Sequence, residues 1–207
     1  MEREPAGHLF GVNFIGPEEL KPFFRALGFG ERTVPAPPIA YSDAELRQAA
    51  AEGYILILGV ESLDGQPVTL RLLRERFGVD PAVSEPCLYN QDWYLKESFI
   101  DEPLRSRWYL IRKEVFEDSR AVMPADLTQK GLHFPPAVLC GYTFFAWYFA
   151  RKEYLWWHDF VWCCDTDHNG DRIYVGKYHD IDGVNKNGFS IHRHLALRPC
   201  YGSVDCR

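Results

Sequence analysis

Trp156 to His179 reads WWHDFVWCCDTDHNGDRIYVGKYH, and this stretch decides the fold. Val161, Trp162, Cys163 and Cys164 lead in with strand-forming residues, and Ile173, Tyr174 and Val175 lead out. Between them stands Asn169-Gly170. That dipeptide is a strong hairpin signal, because a type I′ turn needs φ > 0 at both central positions. Two strands joined by a tight type I′ hairpin are therefore expected. The turn is also acidic, with Asp165, Asp167, Asn169 and Asp171 at alternate positions.

Upstream, Ala137 to Ala150 is the longest apolar run. It is too short to span roughly 30 Å of hydrocarbon, and Arg151-Lys152-Glu153 follows at once. Pro135 or Pro136 opens it, so it reads as a buried helix running to about Tyr154. Tyr54 to Val60, YILILGV, has strand length and no polar face, so it is expected to be a central strand covered on both sides. Trp108 to Val115 reads as a second strand and Phe189 to Leu195 as the last. His8 to Ile15 fits a short strand. Ser42-Asp43-Ala44-Glu45 is a capping box that starts a helix ending near Gly53. Further helices are expected over Pro17 to Leu27, with Pro22 as an alternative start, over Pro67 to Phe77, and over Pro124 to Gly131. Asp180 to Gly188 reads as a loop.

Helices and one strand come first, then helices and several strands. The fold class is α+β, a mixed, largely antiparallel sheet with a C-terminal β-hairpin packed by several helices. A chain of 207 residues fits a single domain over 1–207, with an N-terminal helical portion, 1–80, on a sheet portion, 81–207.

Composition narrows the function classes. A net charge of -6 argues against a phosphate-backbone binder, so nucleic acid is a disfavoured partner. No secretory pattern and no membrane span is present, which favours the cytoplasm and reduced thiols for the six cysteines. No CxxC occurs, and adjacent Cys163 and Cys164 would point to opposite faces of a strand. An aromatic fraction of 15% supplies a large-ring core, or flat ligand platforms on the sheet.

Three groups of residues could carry chemistry. Asp165, Asp167, Asn169 and Asp171 match the opening of a calcium loop, with oxygens at alternate positions and Gly170 at the sharp turn. The match fails at Arg172 and at Gly176, where the loop should carry an aliphatic residue and a bidentate Glu. Ca²⁺ or another divalent cation is thus a candidate cofactor, with Asp180 or Asp182 as additional ligands. His192 and His194 would share one strand face, a spacing that suits a metal or a proton-transfer pair. Arg112 and Lys113 form the densest basic group, a candidate phosphate contact or simply a solvated strand edge. No phosphate loop, nucleophile elbow or dinucleotide fingerprint is present.

The run from Arg107 through Gly176 combines WYLIRKE, a Gln-containing short helix, a Pro-Pro-opened helix and a D-x-D-x-N-G hairpin ending in YVG. It resembles uncharacterised hypothetical proteins of bacteria and their phages. The resemblance implies a bacterial or phage origin and no chemistry. Two functions remain open: a non-enzymatic binding or interaction module with an aromatic-rich sheet, recognising a protein or a small molecule, and a divalent-metal-dependent hydrolase using the acidic hairpin and the C-terminal histidines.

Overall fold

The protein, described by a computed structural model over residues 5–179, 187–193 and 197–207, is an α+β fold. In chain order it contains α1 (Ala6–Phe10), β1 (Phe14–Ile15), α2 (Lys21–Ala26), α3 (Asp43–Ala51), β2 (Tyr54–Leu58), β3 (Ser62–Leu63), β4 (Gln66–Pro67) and α4 (Leu70–Phe77). There follow β5 (Trp108–Arg112), α5 (Pro124–Gln129), α6 (Ala137–Arg151), β6 (Phe160–Thr166), β7 (Arg172–His179), β8 (Asn187–His192) and β9 (Tyr201–Gly202).

Two sheets sandwich α6. In the first, β2 is central, parallel to β1 and antiparallel to β5. Every residue of β2 is buried, as its continuous apolar run requires. The second sheet has the order β8-β7-β6-β9; β7 pairs antiparallel with both neighbours, and β9 joins β6 in parallel. A small β3-β4 hairpin stands apart from both sheets. α6 is apolar on all sides, and Ala137 to Trp147 are buried, so it sits inside rather than on the surface. Phe144 and Phe145 meet Phe189 of β8, while Tyr142 donates to the Leu58 carbonyl of β2 at 3.0 Å.

Several local expectations meet a different geometry. Most of His8 to Ile15 is helical: α1 stops where Gly11 turns to φ 51, and only Phe14–Ile15 pairs as a strand. The helix expected from Pro17 begins at Lys21, placing Pro22 in the first turn where a missing N–H costs nothing. The helix expected from Pro67 starts at Leu70, with Thr69 accepting from the Leu72 amide as its cap. β5 ends at Arg112, and β9 carried no recognisable strand signal. The hairpin turn is not type I′. Gly170 has φ 85 but Asn169 does not have positive φ, and the Gly170 amide bonds the Asp167 carbonyl at 3.0 Å. Asp at the first position and Gly at the fourth are the signature of the type I family. The Ser42 capping box forms as read. All six cysteines are free, with Cys87, Cys140 and Cys163 buried.

Candidate functional site

The residues of the acidic hairpin diverge. Asp165 turns toward α6 and accepts the Ala137 amide at 2.6 Å. That helix opens on Pro136, whose side chain cannot cap it, so a carboxylate from β6 satisfies one of its free N–H groups and meets its dipole. Burial raises the Asp165 carboxyl, and the Ala137 amide opposes this. Asp167 is buried and turns inward on its own loop, accepting the Asn169 and Asp171 amides at 2.9 Å each. Asn169 is exposed and Asp171 half-buried. The four residues therefore do not form one oxygen cage.

Asp167 instead joins a different cluster. Buried Glu97 accepts the His168 amide at 2.9 Å and lies 2.7 Å from His168 Nδ1. Arg193 stacks over Trp93 at 4.4 Å and bonds Asp167, with Glu97 at 3.5 Å. Burial alone would raise the Asp167 carboxyl; the Asp171 amide, Arg193 and the Asn169 amide outweigh it and hold it at about 2. Ligand atoms of Glu97, Asp167 and His168 lie within 4.8 Å of one another, a spacing a metal could use. Arg193 already supplies positive charge there.

His192 sits on the second sheet opposite Tyr174, stacked on its ring at 5.5 Å, with the Phe160 edge at 5.3 Å. Burial pushes it down to about 4, so it is neutral at pH 7. Its face of the sheet also carries Trp162, and Tyr201 packs there too. Leu127 of α5 and Phe134 cover that aromatic face, leaving Trp162 only 6% exposed. The sheet is as rich in rings as the sequence suggests, yet its central rings are core rather than platform. His194, Asp180 and Asp182 lie outside the described residues. Arg112 stacks over Phe116 at 3.8 Å, and Lys113 reaches the Trp147 ring at 4.7 Å, so each cation has an aromatic partner.

Lys113 also lines a concavity with aromatic and charged walls. A cleft of about 350 Å³ lies between the segment after β5, from Lys113 to Arg120, and the loop from Tyr154 to Asp159 that joins α6 to β6. Arg120 is its electrostatic centre. It bonds Glu117 through two contacts, at 2.8 and 3.0 Å, and reaches Asp159 across the cleft. The guanidinium holds the Glu117 carboxyl below its usual range. Trp156 is fixed by its indole N–H on the Lys113 carbonyl, 3.1 Å away, and has φ 50. Left-handed backbone at a bulky residue costs about 1–3 kcal/mol and persists only where the surroundings impose it.

Behind the cleft wall lies Lys177 of β7. Its side chain shares the core-facing side of the sheet with Phe189 and is 1% exposed. Its Nζ lies 4.6 Å from the Tyr154 ring centre and 4.3 Å from that of Trp157. Sequence reading singled out Lys113 but not Arg120, Tyr154, Trp157 or Lys177. The one available signal was the density of rings and charges in Tyr154 to Asp159, YLWWHD.

No protein-family model, curated protein or solved structure matches the chain. Among the described residues no helix is long and apolar enough to cross a membrane.

Proposed function

We propose that the protein is a non-enzymatic binding module and that the cleft over Arg120 is its ligand site. The observation that carries this reading is the Glu117–Arg120–Asp159 bridge across an aromatic-walled cleft of about 350 Å³. Cleavage by a pair of carboxyl groups requires one of them to hold a proton at working pH. Here both carboxylates already accept from one guanidinium, and the Glu117 carboxyl is held below its usual range, which disfavours it as the proton donor. The same arrangement suits recognition: fixed acceptors and donors beside the half-buried Trp157 ring. The charges are largely balanced within the cleft, so the fitting ligand is small, neutral and polyhydroxylated with one apolar ring face, as a sugar is.

The test is titration of the full chain with neutral mono- and disaccharides, followed through tryptophan fluorescence and the indole N–H resonances. Binding that disappears in Trp157→Ala, with an unchanged circular dichroism spectrum, is the expected result. A panel that moves no indole resonance would remove the reading. The alternative of a divalent-metal-dependent hydrolase has one observation in its favour, the approach of Glu97, Asp167 and His168. Arg193, bonded into that cluster, weighs against it.

A further inference from the structure

The segment leading into β5 carries two guanidinium groups, Arg105 and Arg107, that the Arg120 cleft does not use. Both line a second cleft of about 210 Å³, together with Tyr109 of β5, the start of α6 and Cys206. The two clefts have no lining residue in common. The floor of the second is apolar: Leu104, Tyr109, Val138 and Leu139 are all buried. Its rim is charged, since Arg105 and Arg107 are exposed. Among the described residues neither guanidinium donates a hydrogen bond or pairs with a carboxylate, and Arg107 lies over the Tyr109 ring at 4.5 Å.

The backbone under both groups is fixed. The Arg105 amide donates to the Tyr109 hydroxyl at 3.2 Å, and that hydroxyl donates to the Arg105 carbonyl at 3.3 Å. The Arg107 carbonyl accepts the Gly59 amide at 2.8 Å. A Cβ at Gly59 would stand 2.5 Å from the Tyr109 ring, so glycine there lets the ring pack down. Burial pushes the Cys206 thiol up to about 12, with the Arg107 charge of the same lining acting against it. The thiol is therefore neutral at pH 7 and serves as a soft apolar wall.

We propose that this second cleft binds a small carboxylate with a compact apolar body, its oxygens at Arg105 and Arg107 and its body on the floor. A guanidinium matches a carboxylate through paired N–H donors, and one without an internal carboxylate keeps those donors for a ligand. Size sets the body. A cavity of roughly 150 Å³ holds benzene, so about 210 Å³ holds a single ring with its carboxylate. Charge sets the head group. Glu102 also lines the cleft, so two formal positive charges and one negative leave a net of +1. That balances a carboxylate rather than a phosphate monoester, which carries about -1.5 to -2. The binding is reversible and makes no covalent bond. It stands apart from the sugar reading of the Arg120 cleft and does not depend on it.

The experiment titrates the full chain at pH 7 with sodium benzoate, benzamide, phenyl phosphate and acetate, followed by calorimetry and by backbone amide resonances. Benzoate should bind about tenfold tighter than neutral benzamide, which lacks the charge, and than acetate, which lacks the ring. The amides that shift should include those of Arg105, Val138, Leu139 and Cys206. Arg105→Gln and Arg107→Gln should each weaken benzoate about tenfold and leave benzamide unchanged. Both side chains are exposed, so the fold should survive, and circular dichroism checks it. Benzoate that binds no tighter than benzamide, phenyl phosphate that binds tighter than benzoate, or shifts confined to Trp157 and its neighbours would overturn the proposal. The wild-type ligand series decides by itself should a variant fail to fold.

Discussion

Arg193→Met tests whether the acidic hairpin is held by an internal cation or waits for an external one. The substitution keeps an apolar stem over Trp93 and removes the guanidinium. Its partners are two of the most enclosed carboxylates in the structure: the Glu97 side chain is 5% exposed and that of Asp167 0%. Removing one partner of a buried ion pair costs about 3–5 kcal/mol, because the remaining charge is left uncompensated. His168 beside Glu97 and the two amides on Asp167 remain, which places the expected loss toward the lower end. For a chain of this length each kcal/mol moves Tm by about 2–4 °C, so a fall of roughly 6–12 °C is expected.

Two further readouts separate this from a generic packing defect. Asp167 is held at about 2, below its unfolded value of roughly 3.9. A depressed carboxyl contributes stability that is present above the unfolded value and lost as pH falls through the folded one. The difference between wild type and variant should therefore shrink between about pH 4 and pH 2. The variant also leaves Glu97, Asp167 and His168 within 4.8 Å without their guanidinium. Millimolar Mn²⁺ should then raise the Tm of the variant through mass action and leave the wild type unmoved. Scanning calorimetry with and without chelator reads all three. A wild-type Tm that rises with Mn²⁺, or a variant that melts within about 2 °C of wild type at pH 7, would refute the reasoning.

Two other outcomes follow from the same geometry. Asp165→Ala removes the acceptor for the first amide of α6 and should cost about 1–2 kcal/mol in urea denaturation, with little loss in Asp165→Asn, whose side-chain oxygen can still accept. Burial holds His192 at about 4, below its unfolded value of roughly 6.5, so its protonation opposes folding. Stability should be full above about pH 6.5 and fall as pH drops toward 4, and His192→Phe should flatten that part of the urea-midpoint profile.

The legible parts of this chain are those where one local rule acts alone. YILILGV has no polar residue to place outward, so a strand buried on both faces is its only stable use, and that is where β2 lies. Ala137 to Trp147 is apolar around the whole circumference, so α6 had to be interior. Ser42 and Glu45 cap each other within one turn of chain and need no tertiary partner. Asn169-Gly170 is compatible with two turn types, so the dipeptide alone does not fix the turn. The Asp167 side chain, accepting from the amides of residues 169 and 171, selects the type I arrangement over I′.

The acidic hairpin shows why sites are harder to read than elements. Alternation at 165, 167, 169 and 171 looks like a ligand set in one dimension. In three dimensions, Asp165 serves a helix start 28 residues upstream and Asp167 an arginine 26 residues downstream. Each carboxylate is answered by a different long-range partner, and nothing in the local pattern encodes either. The cleft is the converse case. Glu117 and Arg120 are near neighbours, but Asp159 arrives from 39 residues away, and Lys177 approaches Tyr154 and Trp157 only because β7 pairs in register with β6 and β8. Charges that look scattered along the chain are therefore the ones to examine for function once the sheet register is known. Charges that look clustered here are absorbed by the architecture.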